Sequence, residues 1–316
     1  MLLNIILLIV GLFVLILGGD FLVRGASNIA LRLHISPLVV GLTIVAFGTS
    51  APELLISLKS ALNGSPDLAM GNVVGSNICN LALVLGITCL IEPISVQSDS
   101  MKIDWPVAMG SAILLYFVSK EGYINRIEGI IFFGLLLGYT IFIVRKSRKE
   151  TKSMRELEED LGLADNPSNT FWKDLVFLLI GSVGLYYGSE WFVGGAQDLA
   201  RELGVGERVI GITVLALGTS LPELVTAIVA ALKKETDLAL GNLMGSNIFN
   251  ILSILGITSM ITEIQVSPEI VAHDMIPMLI ITLLVLPMMI TGRKIGRFEG
   301  GILLVIYLFY TYTVVS

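Results

Sequence analysis

Residues 41–55 read GLTIVAFGTSAPELL, and residues 211–225 read GITVLALGTSLPELV. Each places a glutamate, Glu53 or Glu223, inside a run that is otherwise hydrocarbon-like. A carboxylate in the middle of a membrane helix costs on the order of 3 kcal/mol on insertion scales, so it calls for a partner, a cation or a function. The two stretches are one motif written twice. Sliding the chain on itself by 170 residues also aligns DLAMGNVVGSNICN with DLALGNLMGSNIFN, and over 41–88 against 211–258 the match is 25 of 48 positions without a gap. It extends back through GGDFLVRGASNIALRL (18–33) and GSEWFVGGAQDLAREL (188–203). It extends forward, after a shift to 171, through NRIEG (125–129) and GRFEG (296–300). The chain is a duplication of one unit.

Composition says what the unit is made of. The 316 residues are 54% hydrophobic and 15% charged, with a mean hydropathy of +0.86, which excludes a soluble globular domain. A helical span needs ~20 apolar residues, and such runs fall at 2–31, 36–62, 67–91, 104–119, 127–144, 172–200, 207–232, 237–262, 271–291 and 299–315. The expected fold is an all-α polytopic membrane protein with ten transmembrane helices. Five spans per unit is an odd number, so the second copy must enter the membrane from the other side. The halves are expected to be two inverted-topology five-helix repeats, 1–144 and 172–316, joined by a polar linker at 145–171. The first run has no basic residue ahead of it and outlasts a signal-peptide core, so it reads as a retained span.

With the amino terminus outside, 14 of the 20 Lys and Arg fall on the inner side and 5 on the outer. That bias predicts a plasma-membrane protein with both termini extracellular and the linker cytoplasmic. The linker acids Glu156, Glu158, Glu159 and Asp160 lack the spacing of an EF-hand loop and read as a solvated linker. Cys79 and Cys89, roughly 15 Å apart along one helix, cannot bridge each other. The net charge of −6 leaves no footprint for nucleic acid.

Ser50 and Glu53, three residues apart, share a helix face. Pro52 has no N–H to give the carbonyl of Gly48, and a freed carbonyl in a membrane is tolerated only where it meets protein, water or an ion. Gly48 and Thr49 are therefore expected to offer backbone oxygens. Gly218, Thr219, Ser220, Pro222 and Glu223 repeat the arrangement. The third helix adds Ser76 and Asn80 at i, i+4, and the eighth adds Ser246 and Asn250. The pairs Gly71/Gly75 and Gly241/Gly245 have the spacing that lets backbones approach closely. Two carboxylates, four serine hydroxyls, two asparagine amides and several carbonyls form a set of hard oxygens, which selects calcium, magnesium or alkali cations. Flexible neutral oxygens around two acids suit calcium better than magnesium. Asp104 and Asp274 begin helices, where an acid meets the favourable end of the dipole. Asp20 and Glu190 occupy equivalent positions with a vestibule or structural role, and Arg24 is within i+4 reach of Asp20.

At these residues the chain resembles the alpha-repeats of the cation/calcium antiporter superfamily, and particularly the prokaryotic sodium/calcium exchangers. GTSAPE with GSNICN, and GTSLPE with GSNIFN, carry the likeness, which covers all ten expected helices. The resemblance implies that Glu53 and Glu223 are shared ligands of calcium and sodium. Ser50, Ser220, Ser76 and Ser246 would complete sodium sites with carbonyls of Ala46, Thr49, Ala216 and Thr219, while Asn80 and Asn250 line the centre. It implies an antiporter rather than an enzyme, working by alternating access as the first and sixth helices slide against the core. Calcium and sodium are then cargo, no cofactor is needed, and no protein partner beyond the lipid bilayer is implied. Three sodium ions per calcium is the expected ratio. Some exchangers carry Asp where this chain has Asn250, so the ratio and any potassium or proton role are open at that point. Proton-coupled relatives usually show a GNAVE-like motif in place of GTSxPE. A calcium exchanger coupled to protons or potassium is the alternative within the superfamily, and a cation channel the alternative outside it. An intramembrane protease is a weaker alternative still, with no HExxH, GxGD or serine–histidine motif visible.

Cysteines introduced at Ser153 and Ser316 are expected to react from opposite membrane faces. Labelling of both by an impermeant reagent on intact cells would refute the inverted five-plus-five arrangement.

Overall fold

The computed structural model describes residues 2–160, 171–204 and 216–315, with the side chains of 152–160, 216–217 and 315 outside the description. Its helices are α1 (Leu2–Leu33), α2 (Pro37–Leu62), α3 (Pro66–Ile91), α4 (Ser100–Ser119), α5 (Arg126–Asp160), α6 (Phe171–Glu202), α7 (Leu221–Leu232), α8 (Thr236–Ile261), α9 (Ile270–Arg293) and α10 (Arg297–Val315). Among the described residues eight helices, α1–α6, α8 and α9, are long and apolar enough to cross a membrane. The run expected at 207–232 is described only from the helical turn Ala216–Thr219 onward, and its earlier part lies outside the described residues. The acids expected in a linker at 156–160 continue α5, whose backbone stays helical to Asp160.

Local sequence sets the helix starts. Ser36 caps α2 by accepting from the Val39 N–H at 3.3 Å, and Pro37 fills the first turn, where its missing N–H costs nothing. NRIEG is a capping box: Asn125 Oδ1 accepts from the Ile127 N–H at 2.8 Å while Glu128 Oε2 accepts from the Asn125 N–H at 2.7 Å. In GRFEG, Glu299 Oε2 accepts from the Gly296 N–H at 3.1 Å, so half of the box survives in the second copy.

The duplication is visible in the backbone. Left-handed residues pair across the repeat: His34 (φ 56°) with Gly204 (φ 80°), Gly64 (φ 76°) with Lys234 (φ 65°), and Gly122 (φ 85°) with Arg293 (φ 51°). So do π-helical turns, at Ser100–Asp104 and Ile270–Asp274, and at Cys79–Val84 and Asn250–Leu255. Four two-residue strands then exchange partners. β1 (Ile94–Ser95) pairs antiparallel with β4 (Lys294–Ile295), and β2 (Tyr123–Ile124) with β3 (Ile264–Gln265). Since β1 corresponds to β3 and β2 to β4, each ribbon takes one strand from each copy. The two ribbons sit beyond opposite ends of α4, about 30 Å apart by helix rise. Near the first ribbon, Lys234 reaches Glu92 at 2.7 Å, and its ammonium holds the carboxyl below its ordinary range.

Burial separates a core from a periphery. In α8, 94% of the span is buried, and in α3 72%, against 22% for α1 and α6. The two outer helices are antiparallel and meet along glycines spaced by seven: Gly11, Gly18 and Gly25 against Gly181, Gly188 and Gly195. A Cβ on Gly181 would lie 2.5 Å from the Leu22 nitrogen, and one on Gly18 2.7 Å from the Leu185 nitrogen. Both ends of the seam are tied. Arg32 pairs with the buried Asp174, which also accepts from Asn28 Nδ2 at 2.9 Å, and Asn4 Nδ2 donates to Glu202 Oε1 at 3.1 Å. Asn4 and Asp174 are repeat equivalents, as are Arg32 and Glu202, so the ties are counterparts.

Two expectations change. Asp104 and Asp274 do not act through a helix dipole: each closes a π-helical turn and accepts a tyrosine hydroxyl at 2.8 Å, from Tyr139 and Tyr310 respectively. An acid that deep needs a donor, and the neighbouring helix supplies it. The close approach expected at both GxxxG pairs is seen at Gly241 and Gly245, where a Cβ would meet Leu38 and Leu42 backbone at 2.4 and 2.6 Å. Around Gly71 and Gly75 no described atom lies within 4 Å of a Cβ, and their counterpart partners, 208–212, are outside the described residues.

Gly181→Val is expected to destabilise by at least the ~1–3 kcal/mol of core overpacking, because backbone cannot yield as a side chain can. Gly301→Ala, in open space, is expected to be neutral or stabilising by up to about 1 kcal/mol. Thermal unfolding of the detergent-purified variants compares the two.

Candidate functional site

The motifs converge where α2, α3, α7 and α8 cross. Glu53 and Glu223 are 1% and 0% exposed, and Ser50, Ser76, Asn80, Ser220, Ser246 and Asn250 are all buried. Each carboxylate is in range of the other's charge. Ser50 Oγ donates to Glu223 Oε1 at 3.1 Å and Ser246 Oγ to the same oxygen at 3.4 Å, so one acid is held by a serine from each copy. Thr49 Oγ1 lies 3.4 Å from Ser246 Oγ and 3.4 Å from the Ala46 carbonyl. Ala46 opens the α-helical stretch carrying Ser50 and Glu53, and Ala216 opens the turn that ends at Thr219.

What is missing from this network is as informative as what it contains. Both oxygens of Glu53, Oε2 of Glu223, both amide atoms of Asn80, Oδ1 of Asn250 and Oγ of Ser220 are buried without a hydrogen-bond partner among the described residues. An orphaned buried polar atom costs about 1–3 kcal/mol, and a charged one more. Here the orphans face one polar centre, and their chemistry is hard oxygen throughout. Among the described residues no group of three or more His, Cys, Asp or Glu side chains forms a metal cluster. A cation at this centre would be held by two acids plus neutral oxygens.

Backbone irregularity positions the asparagines. Asn80 and Asn250 stand in or at the start of the π-helical turns Cys79–Val84 and Asn250–Leu255, where the widened turn interrupts the regular ladder. The proline-freed carbonyl of Gly218 accepts from Ser189 Oγ of α6 at 2.7 Å, and at Gly48 the Ser182 hydroxyl of α6 lies 2.8 Å from where a Cβ would stand.

Four further asparagines join the site. Asn250 Nδ2 donates to Asn77 Oδ1 at 3.1 Å, and Asn77 Nδ2 to the Asn247 carbonyl at 3.4 Å, crossing the repeat axis. Asn72 Nδ2 donates to Ser57 Oγ at 2.9 Å and to the Glu53 carbonyl at 3.3 Å, while its counterpart Asn242 accepts from Thr49 Oγ1 at 3.1 Å. The signal for these was present, since MGNVVGSN and LGNLMGSN repeat all four.

Access is unequal. A cavity of about 400 Å³, walled by Lys59, Glu190 and Gln197, reaches Pro52, Gly218 and Thr219. Glu190 thus lines a vestibule. Its equivalent Asp20 is tied instead to Arg24 at 2.8 Å, as its i+4 spacing predicts, and to Lys233 of the core.

A family description, sodium/calcium exchanger protein, matches residues 3–145 and 173–316. The chain belongs to the sodium/calcium exchanger family. Relatives of this exchanger include the sodium/calcium exchanger MaX1 of Methanosarcina acetivorans, 32% identical with 96% of each chain covered. The inner membrane protein YrbG of Escherichia coli is 34% identical, covering 90% of this chain and 88% of its own. Among solved structures, the sodium–calcium exchanger NCX_Mj, soaked without sodium or calcium, superposes with a TM-score of 0.84 at 31% identity over 99% of both chains.

Asn72→Leu removes the donor to both Ser57 and the Glu53 carbonyl. It is expected to lower stability by about 1–3 kcal/mol, read as a reduced thermal midpoint of the purified protein, whereas Asn72→Gln keeps the amide and should cost less.

Proposed function

We propose that this exchanger is a sodium/calcium antiporter that binds calcium and sodium alternately at one site between its two copies. The observation that carries the reading is the buried pair Glu53 and Glu223, three of whose four carboxylate oxygens have no hydrogen-bond partner among the described residues. Two carboxylates in that setting are stable only when protonated or when a cation supplies the missing charge. Calcium takes six to eight oxygens in flexible geometry, and Glu53, Glu223, Ser50, Ser76, Asn80, Ser220, Ser246 and Asn250, with carbonyls of Ala46, Thr49, Ala216 and Thr219, offer such a set. Because both ions need the same carboxylates, their occupancy is mutually exclusive, and that competition is the coupling. Antiport rather than an enzymatic reaction follows: nothing covalent is asked of these groups.

Alternating access is favoured by the unequal ends of the α1–α6 pair. The vestibule beside Glu190 is open, and the Asp20–Lys233 ion pair joins the same helix pair to the core elsewhere. A seam of glycines makes α1 and α6 one rigid body, which can slide against the buried motif helices without repacking itself. The exchanged ribbons support ten spans in two inverted five-helix repeats, 1–144 and 172–316. With the linker 145–171 cytoplasmic, both termini lie outside the cell membrane. The polar orphans of the site belong to both copies, as an ion site at a repeat interface requires.

With Asn80 and Asn250 neutral, the site carries two negative charges, which one calcium balances and three sodium ions exceed by one. A 3:1 exchange then moves one net charge per cycle, on which the membrane potential acts with ~2.3 kcal/mol per 100 mV. In sodium-loaded proteoliposomes, the sodium gradient that just stops calcium flux is expected to shift with clamped voltage, and Glu53→Gln or Glu223→Gln to abolish uptake. A reversal point indifferent to voltage would rule out the three-sodium cycle. Uptake driven equally by potassium or a proton gradient would transfer the coupling to those ions, and near-normal uptake in both Gln variants would remove the carboxylates from the mechanism.

A further inference from the structure

The lipid-facing surface between α4 and α5 is not smooth. It holds a crevice of about 490 Å³ lined by Val107, Gly110, Leu114, Gly134, Gly138 and Phe142, among others, within the ~300–1,000 Å³ of ordinary ligand sites. A Cβ on Gly110, Gly134 or Gly138 would meet nothing within 4 Å, so these glycines are not there for helix contact. The two hydroxyls on its wall are already used: Ser111 donates to the Val107 carbonyl at 2.7 Å, and Tyr139 to Asp104 at 2.8 Å. Water needs two to four polar partners to settle in a cavity, and this largely apolar wall, with both hydroxyls already donating, suits hydrocarbon instead.

One end of the crevice is basic. The bonds Asp104–Tyr139 and Asp99–Lys146 set α4 and α5 antiparallel, which brings Lys102 to the same end as Arg145 and Lys149. Gly138, Phe142, Arg145 and Lys149 follow one another at helical spacings of four, three and four, along one face of α5. All three cations are exposed, and none has an ion-pair partner among the described residues. The nearby acids Asp99 and Glu150 are engaged by Lys146.

The duplication supplies an internal control. Where the first copy has Gly110, Gly134 and Gly138, the second has Ile280, Val305 and Phe309, and where it has Lys102 and Arg145, the second has Ala272 and Ser316. The three crevice glycines and the cations Lys102 and Arg145 are thus replaced together in the second copy. We propose that the α4–α5 crevice binds one anionic phospholipid, its acyl chain against Gly110, Gly134 and Gly138 and its phosphate among Lys102, Arg145 and Lys149. Basic side chains near an anionic headgroup are each worth on the order of fivefold in affinity. The site is independent of the cation centre and of the transport reading.

Native mass spectrometry of the purified full chain, titrated with phosphatidylglycerol or phosphatidylcholine, tests this. The unaltered protein is expected to retain one phosphatidylglycerol at concentrations where phosphatidylcholine is lost. Arg145→Gln with Lys149→Gln should weaken that retention roughly thirtyfold. Gly138→Phe, or the triple change Gly110→Ile, Gly134→Val and Gly138→Phe, installs the second copy's own residues and should abolish it. Equal retention of the two lipids, or unchanged retention in the charge variant, would overturn the proposal. So would variants that leave lipid retention intact but abolish cross-linking between copies, since the face would then be a protein contact.

Discussion

Two carboxylates buried within each other's field are the condition to which the rest of this molecule answers. Glu53 and Glu223 are both buried, and among the described residues two serine hydroxyls serve the four oxygens. Such a centre cannot be held together by its own contacts. It is imposed from outside, by α3 and α8 buried over most of their length and by glycines that let α8 press against α2 at backbone distance. The asparagines then brace the centre without neutralising it. The side chains of Asn77, Asn72 and Asn242 hold amide, backbone and hydroxyl groups in place, and the oxygens left over call for a positive charge. Rigidity and deficit coexist because amide hydrogen bonds fix geometry while adding no charge.

A second consequence follows for the surroundings. In the proposed cycle the helices that carry the deficit stay together, since shifting them would break asparagine bonds across the repeat axis. The moving body of that proposal is the α1–α6 pair, mostly exposed, joined by a glycine seam and tied at both ends. The hydroxyls Ser182 and Ser189 of α6 stand beside the proline-broken turns, and Asp20 of α1 pairs with Lys233, so both outer helices touch the core.

Much of this could be read from the chain alone, for a definite reason. Polar residues in an apolar run stand out, and a duplication doubles the contrast, so the GTSxPE and GSNxxN residues were legible one by one. The i+4 pair of Asp20 and Arg24 was legible because helix geometry is local. What was not legible depends on partners distant in sequence. Asp104 and Asp274 looked like dipole acids until tyrosines some 35 residues on supplied donors. Asn72 and Asn77 repeat as faithfully as Asn80, yet spacing alone does not say which repeated asparagine braces and which faces the centre. Two-residue strands have no periodicity to detect, so the ribbons gave no signal. The helical continuation of α5 through a charged segment was equally open, since a polar run can be solvated as coil or as helix.

Those ribbons also bear on how the chain is made. Ile94 pairs with Ile295, 201 residues later, so at ~5–20 residues per second of synthesis the first strand waits roughly 10–40 s for its mate. During that interval the first copy sits in the bilayer with both strand edges unpaired, and the strand at residues 264–265 closes one before the last strand closes the other. Assembly is therefore ordered by translation. The amino-terminal half is a template whose shape is completed only by its own later copy, which makes the two halves of the duplication interdependent in biogenesis as well as in function.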